Sequence, residues 1–198
     1  MNYLAHAYFS FGDPELLLGN LIADFVKGKQ KYEYPLPVRR GIDLHLSIDQ
    51  FTDKHCATRC IKEIFYKDYG RYGGAFADIV YDHFLALDTS VFPENALWGF
   101  SQWVYSELDR SQEKLPDKFT RMYPYMKKDN WLYHYGEKWA IQRSFKGLVH
   151  RAAYITDSET AYLLFEKEYA TIKDCYISFL PDLKKALALE YQLSHSVH

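Results

Sequence analysis

The chain has 198 residues, 48% of them hydrophobic and 25% charged, a balance that fits one folded domain and excludes extended disorder. A formal net charge of -2 excludes the basic excess of a general nucleic-acid binder. Three cysteines, Cys56, Cys60 and Cys175, have neither the even count nor the spacing of a disulfide framework, which fits a reducing compartment.

The N-terminal run Met1-Asn2-Tyr3-Leu4-Ala5-His6 lacks the basic start and apolar stretch of a signal peptide. No segment approaches the roughly 20 apolar residues that cross a bilayer. A cytoplasmic protein with no membrane and no nucleic-acid partner is expected, as a single domain over 1-198 with a frayed tail at 193-198.

Helical punctuation then follows in chain order. Asp13-Pro14-Glu15 supplies an N-cap carboxylate, a proline at the first helical position and an acid at the positive dipole end. That helix is expected to run to about Gly28. A second should follow Pro37 to about Asp53, a third cover Ala57 to Asp68, and a fourth Ala75 to Leu87, where Phe76, Val80, His83, Phe84 and Leu87 recur at helical spacing. Helical patterns also follow Pro93, Pro116 and Asp129. Asp157 reads as the N-cap of a long helix ending before Pro181, with a short one after it. Alternating strand patterns are scarce, so the fold class expected is all-α, a single helical bundle. The 18 tyrosines and 13 phenylalanines are expected mainly in its core.

The segment from Gly41 to Asp53 is the most informative. On a helix, His45, Asp49 and Asp53 lie at i, i+4 and i+8 and form one polar stripe, apart from the apolar stripe of Leu44, Ile48 and Phe51. Taken alone, such a stripe is the ordinary look of a solvated face, because Asp and His are mostly exposed. Three other places change the reading. Asn2 and His6 share i, i+4 spacing, Asn20 and Asp24 repeat it inside the apolar run Leu16 to Val26, and Asp82-His83 is flanked by apolar and aromatic residues. Carboxylates in apolar helices are costly unless they are paired or hold a cation. Several helices each offering an Asp or His therefore point to a shared metal centre. Oxygen mixed with imidazole suits Mn²⁺, Mg²⁺ or Fe²⁺ better than a thiolate-rich zinc site, and such an ion serves phosphate-ester hydrolysis.

These residues resemble the acyl carrier protein phosphodiesterase family, a divergent branch of the HD phosphohydrolases. The matching stretches are Asn2 to His6, Gly19 to Asp24, His45 to Asp49 with Thr52-Asp53, and Asp82 to Leu85, with weaker similarity at Asn130 to Leu132 and Gly147 to Arg151. The resemblance implies an HD-like helical bundle with Mn²⁺ as cofactor. It also implies holo-acyl carrier protein as substrate, cleaved to apo-carrier protein and free 4'-phosphopantetheine. It makes Asp24, His45, Asp49, Asp82 and His83 the expected ligands, and Asp24, His6 and Asp53 the expected acid-base groups. Asn2, Asn20, Arg39, Arg40 and Arg151 are the expected substrate contacts. The chain departs from the family at Asp43, where many members carry His, and at Leu46 and Ser47, where they carry basic residues; Arg39-Arg40, Arg59 or Arg151 are the replacements at hand.

Two further readings remain open on the residues alone. One is an HD-type phosphohydrolase acting on a small phosphodiester or nucleotide. The other is a non-catalytic binding module, which requires that His6, Asp24, His45, Asp49, Asp82 and His83 do not converge. Iron-dependent oxidation lacks the Glu-x-x-His motif of ferritin-like bundles, since no Glu precedes a His by three.

Overall fold

The computed structural model describes residues 1–195, with side chains followed as far as Leu189. Among the described residues there is no strand, and the all-α expectation holds. The elements are α1 (Tyr3–Tyr8), α2 (Pro14–Ile22), α3 (Leu36–Lys54), α4 (Cys56–Tyr69), α5 (Gly73–Leu87), α6 (Ala96–Arg110), α7 (Asp117–Lys128), α8 (Trp131–His134), α9 (Lys138–Arg151), α10 (Glu159–Lys167) and α11 (Tyr169–His195). The tail expected to fray from 193 falls where side chains are not described, and 196–198 lie outside the described residues.

Asp13 caps α2 as its position predicts, its Oδ1 accepting from the Glu15 and Leu16 amides at 2.8 and 3.0 Å. The helix stops earlier than expected. After Ile22 the chain tightens into a 3₁₀ turn, Ala23–Phe25, and a second 3₁₀ segment covers Gly28–Glu33. The tightening turns Asp24 out of the apolar helix and leaves it exposed.

Helices α2 and α3 cross almost backbone to backbone. A Cβ on Gly19 would lie 2.0 Å from the Val38 carbonyl oxygen, and one on Gly41 2.3 Å from that of Leu16. Only glycine permits this approach. The contact fixes the register between Asn20 and Asp24 on one side and His45 and Asp49 on the other.

Helix α1 has six residues and is too short to persist alone. Its N-terminus is held by Asn2, whose side chain accepts from the Tyr3 amide, and by Asp82 from α5. The Asp82 carboxylate accepts from the backbone amides of Asn2, Leu4 and Ala5 at 3.1, 2.7 and 3.4 Å. Burial drives its carboxyl up to about 7, against the opposing pull of the nearby Met1 amine and these amides.

The core between α4, α5, α9 and α10 is aromatic. Phe65, Phe76, Phe145 and Phe165 are fully buried, with Phe65 stacked on Phe76 at 4.9 Å and Phe145 edge-on to Phe76 at 5.0 Å. Each contributes about 1.5–3 kcal/mol by burial. The C-terminal region corrects the sequence expectation. The long helix expected after Asp157 is divided at Glu168 into α10 and α11, and α11 continues through Pro181. A proline removes one backbone donor, and here Phe179, Leu180 and Leu183 pack into the core around it and hold the helix together. No helix of the described residues is long and apolar enough to cross a membrane.

Candidate active site

His6 on α1, Asp24 on the 3₁₀ turn, and His45 and Asp49 on α3 meet at one end of the bundle. Both imidazoles are buried, stacked 4.0 Å apart with an interplanar angle of 16°. Asp49 follows His45 by one helical turn, so its carboxylate returns over both rings, with Oδ2 3.1 Å from His45 Nε2 and Oδ1 3.3 Å from His6 Nε2. Asp24 Oδ1 lies 3.3 Å from His45 Nε2 on the exposed side.

One residue orients both rings. Asn20 is 0% exposed; its Oδ1 lies 2.8 Å from His6 Nδ1, and its backbone oxygen 2.9 Å from His45 Nδ1. The amide orientation is set because Asn20 Nδ2 donates to the His6 carbonyl and the Ser10 hydroxyl. Oxygen acceptors at both Nδ1 positions place the protons there, which leaves both Nε2 atoms facing the carboxylates. Pinning one ring nitrogen to an oxygen is how proteins aim the other at a metal.

The charges support that use. Burial, with the neighbouring His45 and chain terminus, depresses His6 to about 4, despite its contact with Asp49. At His45 burial also acts downward, but Asp24 and Asp49 together overcome it and raise the ring to about 9. Burial pushes Asp49 up, yet the two histidines outweigh it and hold the carboxyl far below its usual range. His45 also lowers Asp24. Without a cation, then, His45 alone carries a proton on Nε2, and His6 Nε2 is buried without a hydrogen-bond partner. Ligating atoms of His6, His45 and Asp49 all lie within 4.8 Å of one another. This nitrogen and oxygen set fits a divalent cation, with Asp24 beside it.

The remaining expected residues lie elsewhere. Asp82 and His83, read as ligands, have their polar atoms committed to other partners. Asp82 caps α1, and His83 contacts the Tyr135 carbonyl at 2.8 Å and the Tyr169 hydroxyl at 3.0 Å. Adjacent residues on a helix diverge by about 100°, and here one faces α1 while the other faces α8 and α11. Asp53 is exposed and paired with Lys62 at 2.7 Å. Asn20, read as a substrate contact, is buried behind the histidines. Arg39, over the Tyr32 ring at 5.9 Å, and Arg40 lie on the first turns of α3 away from the cleft described next. Lys31 pairs with Asp43.

A cleft of about 820 Å³ opens beside Asp24. One wall carries Asn2, Tyr3, Asp24 and Asp78, and the other, from α7 to α9, carries Lys118, Lys146 and Arg151. Asn2 and Arg151, two of the expected substrate contacts, line this cleft. Asp78 was missed, although it precedes Asp82 by one turn of α5, and Lys118 and Lys146 carry no motif that would mark them. Tyr3 joins the two walls. Burial and then the Asp24 charge raise its hydroxyl, and the Arg151 charge draws it back.

A family profile described as acyl carrier protein phosphodiesterase matches residues 1–183. The chain belongs to that family. An acyl carrier protein phosphodiesterase of Yersinia pestis is 29% identical over 186 residues, 93% of this chain and 96% of its own length. One from Photorhabdus laumondii is 30% identical over 182 residues, covering 91% and 92%. One from Serratia proteamaculans is 30% identical over 184 residues, covering 92% and 95%. No solved structure shows significant similarity. Membership in the acyl carrier protein phosphodiesterase family makes the chain a phosphodiesterase.

Proposed function

We propose that this chain hydrolyses the phosphodiester joining 4'-phosphopantetheine to a serine of holo-acyl carrier protein, with Mn²⁺ held by His6, His45 and Asp49. The observation that carries the reading is the pair of imidazoles pinned through Asn20, their Nε2 atoms facing two carboxylates at the mouth of a cleft. Family membership supplies the substrate class. A divalent cation held by these residues would supply Lewis acidity to the phosphoryl oxygens and would acidify water beside it.

The protein's own groups do the rest. Asp24 is the most exposed acid of the cluster and accepts the proton of the attacking water. It then returns that proton to the departing serine oxygen, so one carboxyl serves as base and acid. Arg151, across the cleft, binds a phosphate oxygen and holds the diester against Asp24. We also read the bundle as a divergent HD-type phosphohydrolase, and His and Asp drawn from neighbouring helices around one site support that reading. Cytoplasmic action is supported by three free cysteines.

Incubation with holo-acyl carrier protein and Mn²⁺, followed by intact-mass measurement, tests the reading. The carrier should lose the phosphopantetheine mass. Asp24→Asn should retain the thermal melt and lose turnover, and undiminished turnover in that variant would remove Asp24 from the mechanism.

A further inference from the structure

The cleft beside the cluster has a shape that selects among parts of a substrate. It runs along α9, whose 14 residues span roughly 20 Å at 1.5 Å per residue. Its volume of about 820 Å³ is that of a small-molecule site rather than of a docked protein surface. A folded protein surface stays outside a cleft of that size, and an extended chain of ligand dimensions fits within it.

The lining narrows the choice further. Phe25, Ile79, Met122, Trp131 and Leu148 give apolar walls, and the Ser144 hydroxyl and Asn2 side-chain amide offer hydrogen bonds. That combination suits a slender uncharged chain carrying a few amides. Of the charges along it, Arg143 is paired with Asp129 at 2.7 Å and Asp78 with the Met1 amine at 2.7 Å. Asp24 and Arg151 instead flank Tyr3, and Trp139 stands at the opposite end of α9.

We infer that this cleft is the seat of the pantetheine arm. The phosphate lies between Asp24 and Arg151, the amide-linked chain follows α9, and the thiol points toward Trp131 and Trp139. The carrier protein remains at the mouth and contributes only its serine to the interior. This assignment rests on the phosphodiesterase reading above.

Pantetheine, which has the amide chain and thiol but no phosphate, is the probe. Gly147 lines the cleft one turn before Arg151 on α9, and a Cβ there would meet nothing nearer than the Arg151 guanidinium at 3.5 Å. Gly147→Leu therefore projects a side chain into the cleft without touching backbone, and leucine favours the helix over glycine. Gly99→Leu on α6, outside the cleft with nothing within 4 Å of its Cβ, is the control. Pantetheine should inhibit wild-type hydrolysis of holo-carrier protein competitively. Gly147→Leu should raise KM about tenfold or more and abolish that inhibition, with an unaltered thermal melt, whereas Gly99→Leu should match wild type. Wild-type KM in Gly147→Leu, or no inhibition of wild type, overturns the assignment.

If wild type leaves holo-carrier protein intact, the phosphodiesterase reading fails by itself. Calorimetric titration with pantetheine still decides the cleft. Binding to wild type that is lost in Gly147→Leu supports the assignment, and equal binding or none overturns it.

Discussion

Behind the first wall of the cleft, which carries Asp24, the side chains of His6, Asn20 and His45 are buried where α1 to α3 meet and are tied to one another. On the wall built by α7 to α9, Lys118, Lys146 and Arg151 are exposed, and no ion pair involves them among the described residues. The first wall has its ring nitrogens and carboxylates fixed before anything binds, which is where electrostatic preorganisation is effective. The second presents long flexible side chains in water, where a single charge is worth little until a partner desolvates it. Chemistry is thus expected to depend on the first wall and substrate affinity on the second.

The comparison can be broken most severely at His45. His45→Ala should lower kcat about 10³-fold with little change in KM, read by time-resolved intact mass. A change confined to KM would assign His45 to binding and erase the distinction between the walls. Next is the crossing that sets the register of the first wall. Gly41→Ala forces a methyl group into the α2 backbone and should cost about 3 kcal/mol, seen as a lower urea midpoint. An unchanged midpoint would mean that α2 and α3 can separate without loss.

Asp82→Asn tests whether the buried acid of α5 serves the fold. It should cost about 2 kcal/mol, because an amide cannot accept all three α1 amides and brings its own donors among them. A stability equal to wild type would remove its capping role. On the second wall, Arg151→Ala should raise KM for holo-carrier protein about tenfold and leave kcat nearly unchanged, an effect that added salt diminishes. A fall in kcat alone would move Arg151 into the chemical step.

The smallest effect is a pH slope in the cation-free protein. His45 is raised to about 9 in the folded state from 6.5, so its contribution is fully present below pH 6.5 and is lost as pH rises through 9. Asp82, raised to about 7, adds the same sign up to that pH, because folding favours its protonated form. The melting temperature should fall from pH 6.5 to 9, and His45→Gln should flatten the upper part of that slope. A slope that persists in the variant would place its origin in other groups.

Much of the first wall was legible because its residues obey local rules. His45 and Asp49 share a face by helical spacing, and Asp13-Pro14 announces α2 by capping chemistry. Asp82 and His83 show where such reading stops. Both are polar residues in an apolar helix, but whether each meets a cation, an amide or a hydroxyl depends on which helix packs opposite. Asn20 was legible as a polar insertion, whereas its task of holding two rings required the α1–α2–α3 junction to be assembled. The second wall left almost no trace, since Lys118, Lys146 and Arg151 look like any solvated cations.

The sequence by itself determined an all-helical chain with a set of His and Asp residues able to hold a cation, because periodicity and capping act over a few residues. Tertiary structure alone decided that His6, His45, Asp49 and Asp24 meet while Asp82 and His83 do not. It also decided that a cleft adjoins them at Asp24. Both outcomes follow from the glycine crossing of α2 and α3 and from the packing of α9 across the site, which are contacts between residues far apart in the chain.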